Sequence, residues 1–137
     1  MEMTKGRRML CGAVAMMIAA QPAASATLSG PLKGLEPGEW ELRERGAEAD
    51  RSGPRRLCLA DLRQFIQIRH ARNSCKRLTI EDAPNRLSVS YDCAGAGGGR
   101  TDLRIETSRL VQIRSQGVAE GSPFSFVLEG RRLGACR

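Results

Sequence analysis

Hydrophobic and polar positions follow one another along this chain in three rhythms. Met9–Ala20 is an uncharged, mostly apolar run of twelve residues with no period. Across Ala60–His70 the rhythm is helical: Leu59, Leu62, Phe65, Ile66 and Arg69 recur at spacings of three and four, which gathers one apolar face. Asp61 suits the positive N-terminal end of that helix, and His70 or Arg72 its negative C-terminal end. Elsewhere the period is two, the mark of half-buried strands. It runs through Glu39–Arg43, with Trp40 and Leu42 on one side, and resumes briefly at Arg56–Leu59. From Cys75 onward it dominates. Leu78 and Ile80 come first, then Leu87, Val89, Tyr91 and Cys93, then Leu103 and Ile105, Val111 and Ile113, and finally Phe124, Phe126 and Leu128.

Turn residues punctuate these runs. Thr27–Gly38 is a lead-in rich in Gly, Pro and Leu, and Arg45–Arg56 is a polar loop. Asp82–Asn85 holds Pro84 and Asn85, which supply turn backbone angles. The stretch AGAGGG after Cys93, the pair Ser108-Arg109 and the segment Gly117–Ser122 read as further connections. Strands joined by short turns make an antiparallel meander. One apolar face per strand means one covered side of the sheet, and the single helix is its natural cover. The expected fold is α+β, mostly β: an antiparallel meander sheet with one short helix on its apolar face.

Composition changes this picture first at the N-terminus. Lys5, Arg7 and Arg8 precede the apolar run, and Ala24-Ser25-Ala26 follows it as a small-x-small pattern; these are the three zones of a secretory signal peptide. Twelve residues rise about 18 Å as a helix, short of a hydrocarbon core of roughly 30 Å. A buried N-terminal helix is the bland alternative, but nothing downstream suits so uniform a run. Cys11 lacks the preceding small-residue box of a lipid-modified cysteine. The expectation is a signal peptide over 1–26 and a single domain over 27–137, periplasmic or secreted after cleavage near Ala26. No later segment approaches membrane-spanning length. The whole chain carries a formal charge of +7, from 22 basic and 15 acidic residues. Without residues 1–26 it is +5, since three basic residues and Glu2 leave with them.

Four of the five cysteines remain after cleavage: Cys58, Cys75, Cys93 and Cys136. An even count in an exported chain points to two disulfides. Zinc is the competing reading, but no C-x-x-C pair exists and His70 is the one histidine. Three pairings are possible, and strand register selects among them. Cys75 and Cys93 are symmetric about residue 84, inside the turn at Pro84-Asn85, so they face each other at the open end of a hairpin. A one-residue slip in the turn would spoil this. Cys58 is then left for Cys136.

Taken in order, several short pieces resemble a known family: Pro37-Gly38-Glu39-Trp40-Glu41-Leu42, Leu57-Cys58-Leu59 before a short helix, Cys75, Tyr91-Asp92-Cys93, and the Gly-Arg-Arg-Leu-Gly-Ala-Cys that ends at Cys136. The family is the domain of unknown function 3617 family of exported bacterial proteins. The resemblance covers nearly the whole mature chain. It implies the same compartment and a similar fold, and no activity, because the family has none assigned. The Arg-rich loop before Cys58 and the scarcity of methionine depart from the family pattern, so partners of other members do not carry over.

No catalytic constellation emerges. His70 is the natural general base, but no carboxylate in the neighbouring sequence is placed to orient it, and helix-end capping accounts for it. Trp40 suits a core position better than a ligand-stacking one. Gly95–Arg100 fits neither G-x-G-x-x-G nor G-x-x-x-x-G-K-[ST], and no helix follows it. Glu36, Glu39, Glu41 and Glu44 read mostly as solvent-facing alternates. No metal site or cofactor is expected.

Arginine is the remaining signal: 17 of the 19 basic residues after Ala26 are Arg. Arg suits bidentate contacts to carboxylate or phosphate, although genomic base composition produces the same bias. Arg55, Arg56, Arg69, Arg72, Arg131 and Arg132 are the candidates for anion binding. Nucleic acid is not the natural partner of an exported protein, and few aromatics interleave for base stacking. The preferred reading is a non-catalytic binding or accessory module of the cell envelope, with an anionic envelope component or another periplasmic protein as partner. A hydrolase-like enzyme using His70 and a structural or inhibitory protein partner are the alternatives.

Overall fold

A computed structural model describes residues 30–46 and 53–137. The signal-peptide reading, Cys11 and the middle of the Arg45–Arg56 loop lie outside the described residues.

Seven strands form one sheet: β1 (Gly38–Glu44), β2 (Arg55–Leu59), β3 (Lys76–Ala83), β4 (Arg86–Asp92), β5 (Gly97–Thr107), β6 (Leu110–Ala119) and β7 (Ser122–Gly134). All neighbours are antiparallel, in the order β2-β1-β7-β6-β5-β4-β3. Strands β3 to β7 are the meander, and the β1–β2 hairpin joins it along β7. The link from β2 to β3 must therefore cross from one edge of the sheet to the other. It does so as a helical segment, Leu62–His70, lying against β5 and β6.

Alternation separates the two faces. Trp40, Leu42, Leu87, Val89, Tyr91, Leu103, Val111, Ile113 and Leu128 are buried together with Leu62, Phe65 and Ile66 of the helical segment. Trp40 and Phe65 are fully buried and meet edge to face at 5.1 Å. The Trp40 indole N–H donates to the Glu36 carbonyl at 3.1 Å, so its one polar group is satisfied. The opposite face carries the intervening residues, many of them charged, and no described element covers it.

The helical segment differs from expectation in type. It is a 3-10 helix that starts at Leu62, with the Asp61 carboxylate accepting from the Arg63 backbone N–H at 3.0 Å as the N-cap. Gln67 breaks it, with φ −132° and ψ 47°. The Gln67 amide donates to the carbonyls of His70 (2.9 Å) and Asn73 (2.8 Å), and Arg77 donates to its oxygen. Gln67 thus satisfies terminal carbonyls at the end that the spacing assigned to His70 or Arg72.

Both disulfides form, Cys75–Cys93 and Cys58–Cys136, with Cα separations of 4.1 and 5.4 Å. From Lys76↔Asp92 to Thr79↔Val89 the β3–β4 pairing is symmetric about residue 84, as the cysteines require. A bulge at Ile80 then shifts it by one, and the turn closes as Pro84-Asn85 between the paired Ala83 and Arg86. The bulge absorbs the slip that would have parted the cysteines. At the other end, Glu39 of β1 pairs with both Cys58 and Gly134. The Cys58–Cys136 bridge therefore ties together the strands on either side of β1. It spans 78 positions, and the loop-entropy model gives it about 4.5 kcal/mol against about 3 for the hairpin bridge.

Three local expectations are corrected. Gly97, Gly98 and Gly99 are strand rather than loop, and only Ala94–Ala96 turns. Here β5 and β6 run so close that a Cβ on Gly117 would sit 2.1 Å from the Gly98 carbonyl oxygen. The Gly117–Ser122 connection narrows to Glu120-Gly121. Finally, Arg77 and Thr79 pair with the inward-facing Tyr91 and Val89. The apolar phase of β3 is thus opposite to that of β4, and Leu78 and Ile80 are 69% and 50% exposed.

Candidate functional site

The uncovered face gathers a group of arginines that no contiguous stretch of sequence displays. Arg86 of β4, Arg100 and Arg104 of β5 and Arg114 of β6 line a shallow depression of about 560 Å³ together with Glu81 and Asp102. Strand register sets their positions: Arg86 lies directly opposite Arg104, and Asp102 lies between Ser88 and Arg114. Arg100 is held by Asp102 at 3.2 Å, Arg104 by Glu106 at 2.7 Å, and Arg86 approaches Glu81 at 3.7 Å. Arg114 has no ion pair among the described residues. Like charges directly opposite in a sheet are unfavourable, so the Arg86–Arg104 pair gains from any anion that sits between them. Ser88, only 1% exposed, has a hydroxyl without a hydrogen-bond partner among the described residues.

The six arginines singled out by local clustering are dispersed. Arg131 donates to Glu129 at 2.7 Å, and Arg56 lies 3.8 Å from Glu41. Arg132 is a clamp: it donates to the Pro37 carbonyl at 2.9 Å and lies 3.5 Å from Glu36. Beside it, Gly38 has φ +150°, and a Cβ there would meet the Gly134 carbonyl oxygen at 2.2 Å, which explains the glycine that opens the first strand. Arg72 is exposed beyond the helical segment. Only Arg55 and Arg69 come together, in a second groove of about 790 Å³ walled by the stacked rings of Phe124 and Phe126. Glu44 and Glu120 line the same groove, so its charge is balanced.

At the β1–β7 end of the open face the arginines are neutralised by buried acids. Glu129 accepts from Arg45 (2.5 Å), Arg131 (2.7 Å) and Gln112 (3.1 Å). These donors, Arg45 foremost, lower its pKa to about 2. Glu41 accepts from Arg43 at 2.6 Å and is buried, not the solvent-facing alternate that its spacing suggested.

His70 is buried and points inward rather than capping the helix. Its Nε2 lies 3.1 Å from the Ala96 carbonyl, which only accepts, so Nε2 carries the proton. Nδ1, 3.3 Å from the Tyr91 hydroxyl, is then the acceptor. Burial raises the Tyr91 pKa, partly offset by a hydrogen bond with Ser115. Nearby, Thr101 donates to the Ile66 carbonyl at 2.6 Å, with Ser115 Oγ at 2.8 Å. This polar group ties the helical segment to β4, β5 and β6, and no carboxylate contacts the imidazole among the described residues.

The open-face arginines were absent from the sequence-based candidates because they are spread over three strands. Their signal was phase: Arg100, Asp102 and Arg104 alternate with Thr101 and Leu103, and Arg114 follows Ile113 in the same way. Among the described residues no group of His, Cys, Asp or Glu is placed to hold a metal, and no helix is long and apolar enough to cross a membrane. Fold and site together define a disulfide-bonded antiparallel β-sheet domain with an arginine-lined open face. No family model, no curated protein and no solved structure matches the chain.

Proposed function

We propose that this chain is an exported, non-catalytic module of the cell envelope that binds an anionic envelope component on the open face of its sheet. The observation that carries this reading is the convergence of Arg86, Arg100, Arg104 and Arg114, with Arg114 lacking an ion pair among the described residues. Arginine forks match phosphate and carboxylate oxygens in pairs. An anion bridging Arg86 and Arg104 relieves their repulsion. Two disulfides favour an oxidising compartment, in keeping with the resemblance to the domain of unknown function 3617 family. The commitment of both His70 nitrogens to Tyr91 and Ala96 favours a structural over a catalytic role.

Co-sedimentation with vesicles tests the reading. The protein is expected to pellet with phosphatidylglycerol vesicles at low salt, to be released at high salt, and to ignore phosphatidylcholine. At about 1 kcal/mol per arginine near an anionic surface, Arg114→Gln weakens binding about fivefold. Arg72→Gln, away from the patch, leaves it unchanged. Absence of salt-sensitive binding to these vesicles and to acidic polysaccharide alike sinks the proposal.

A further inference from the structure

The two edges of the sheet are not equivalent. The β2 edge is five residues long and is tied by Cys58 to Cys136. The β3 edge is eight residues long, and every residue from Lys76 to Asp82 is exposed. Such an edge presents unpaired backbone groups to any strand that fits, and proteins ordinarily blunt or cover it. Beside its charges and its bulge, this edge also displays Leu78 and Ile80, at 69% and 50% exposure.

What fits this edge is written in its own sequence. Lys76-Arg77-Leu78-Thr79-Ile80-Glu81-Asp82 is antisymmetric in charge about Thr79: two cations and an aliphatic residue on one side, an aliphatic residue and two anions on the other. An antiparallel neighbour is read backwards. A second β3 with its two-fold axis at Thr79 therefore lays the cationic half of each strand beside the anionic half of the other, with the aliphatic residues between them. A parallel neighbour in the same register sets like charge against like.

From this self-complementarity we propose that β3 pairs with β3 of a second copy of the chain, joining the two seven-stranded sheets into one. The bulge at Ile80 sets the detail. Beyond Thr79 it advances the register by one, so Arg77 meets Asp82 of the second copy on the helix-covered side. Leu78 then meets Ile80 and Glu81 of the second copy on the open side. The contact is isologous, so each favourable pair occurs twice. A two-fold axis normal to the sheet leaves both open faces on the same side. The pairing does not rest on anion binding, and its test reads association alone.

Sedimentation velocity of the disulfide-intact protein is the measurement. A single edge contact lies at the small end of specific interfaces, so dimer should build up between about 10 µM and about 1 mM. Asp82→Lys, and separately Arg77→Glu, each set like charges opposite one another in that register. Both should weaken self-association about tenfold or more; Asp82→Lys leaves Arg77 on its Gln67 partner. An equimolar mixture of the two should recover association as a heterodimer. Thermal melts close to that of the unmodified protein separate lost pairing from lost fold. A protein that stays monomeric at about 1 mM, a dimer indifferent to both variants, or a mixture no better than its components each overturns the proposal.

Discussion

The two faces of this sheet are made by the same strands and held by opposite means. The covered face is apolar: Trp40, Phe65, Val111 and Ile113 have no exposed surface at all. The open face is laced with arginine–carboxylate pairs, yet those pairs are not alike. The side chain of Glu129 is 8% exposed and that of Asp102 is 45% exposed. Exposed ion pairs contribute little, whereas a largely desolvated carboxylate depends on its donors. The number of contacts is thus a poor guide to what holds each face, and the degree of burial is a good one.

The largest expected effect lies on the covered face. Phe65→Ala removes the ring packed edge-on against Trp40 and should cost about 3–5 kcal/mol in urea unfolding. That is a large part of the roughly 5–15 kcal/mol typical of a domain. A cost below about 1 kcal/mol would show that the helical segment only shields the sheet and does not anchor it.

Much of this face was legible beforehand. Trp40, Leu87, Val89, Leu103 and Ile113 are placed by alternation, and Leu62, Phe65 and Ile66 by helical spacing, because both patterns report local geometry directly. The disulfides were legible because one pairing follows from a hairpin centre. What stayed hidden needs information from across the sheet. The phase of β3 against β4 comes from the bulge at Ile80, and nothing in Lys76–Ala83 announces it. Gln67 reads as a polar position of a helix until Asn73 and Arg77 are folded back onto it. The candidate site was hardest, since local clusters pointed to Arg131 and Arg132, which serve Glu129, Glu36 and Pro37. The open-face group is assembled only by the register of β4, β5 and β6.

Within the open face, Glu129 is the residue that should behave as though buried. Glu129→Gln keeps the shape but withdraws the charge from Arg45 and Arg131, and should cost about 2 kcal/mol. Its pH dependence is the sharper test. The folded pKa, about 2, lies below the ordinary 4.5. Its contribution is therefore complete above pH 4.5 and is lost as pH falls from there towards 2. Unfolding curves measured across that window should lose stability in the unmodified protein and lose less in Glu129→Gln. Parallel curves would place the charge elsewhere.

Asp102 supplies the smallest stability effect and the most direct link from this face to binding. Its pair with Arg100 is exposed on both sides, 48% and 45%, so Asp102→Asn should change stability by under about 0.5 kcal/mol. The same change removes one of the carboxylates that oppose the arginine patch and releases Arg100. If the patch receives anions, affinity for phosphatidylglycerol vesicles should rise about fivefold, on the scale of about 1 kcal/mol per charge, while the thermal melt stays put. A structural role for the pair predicts the reverse, a lowered melt with unchanged binding. Because Asp102 lies opposite Arg114 in the β5–β6 register, the gain should shrink in an Arg114→Gln background. Additive effects of the two substitutions would mean that Arg100 and Arg114 meet separate anions rather than one.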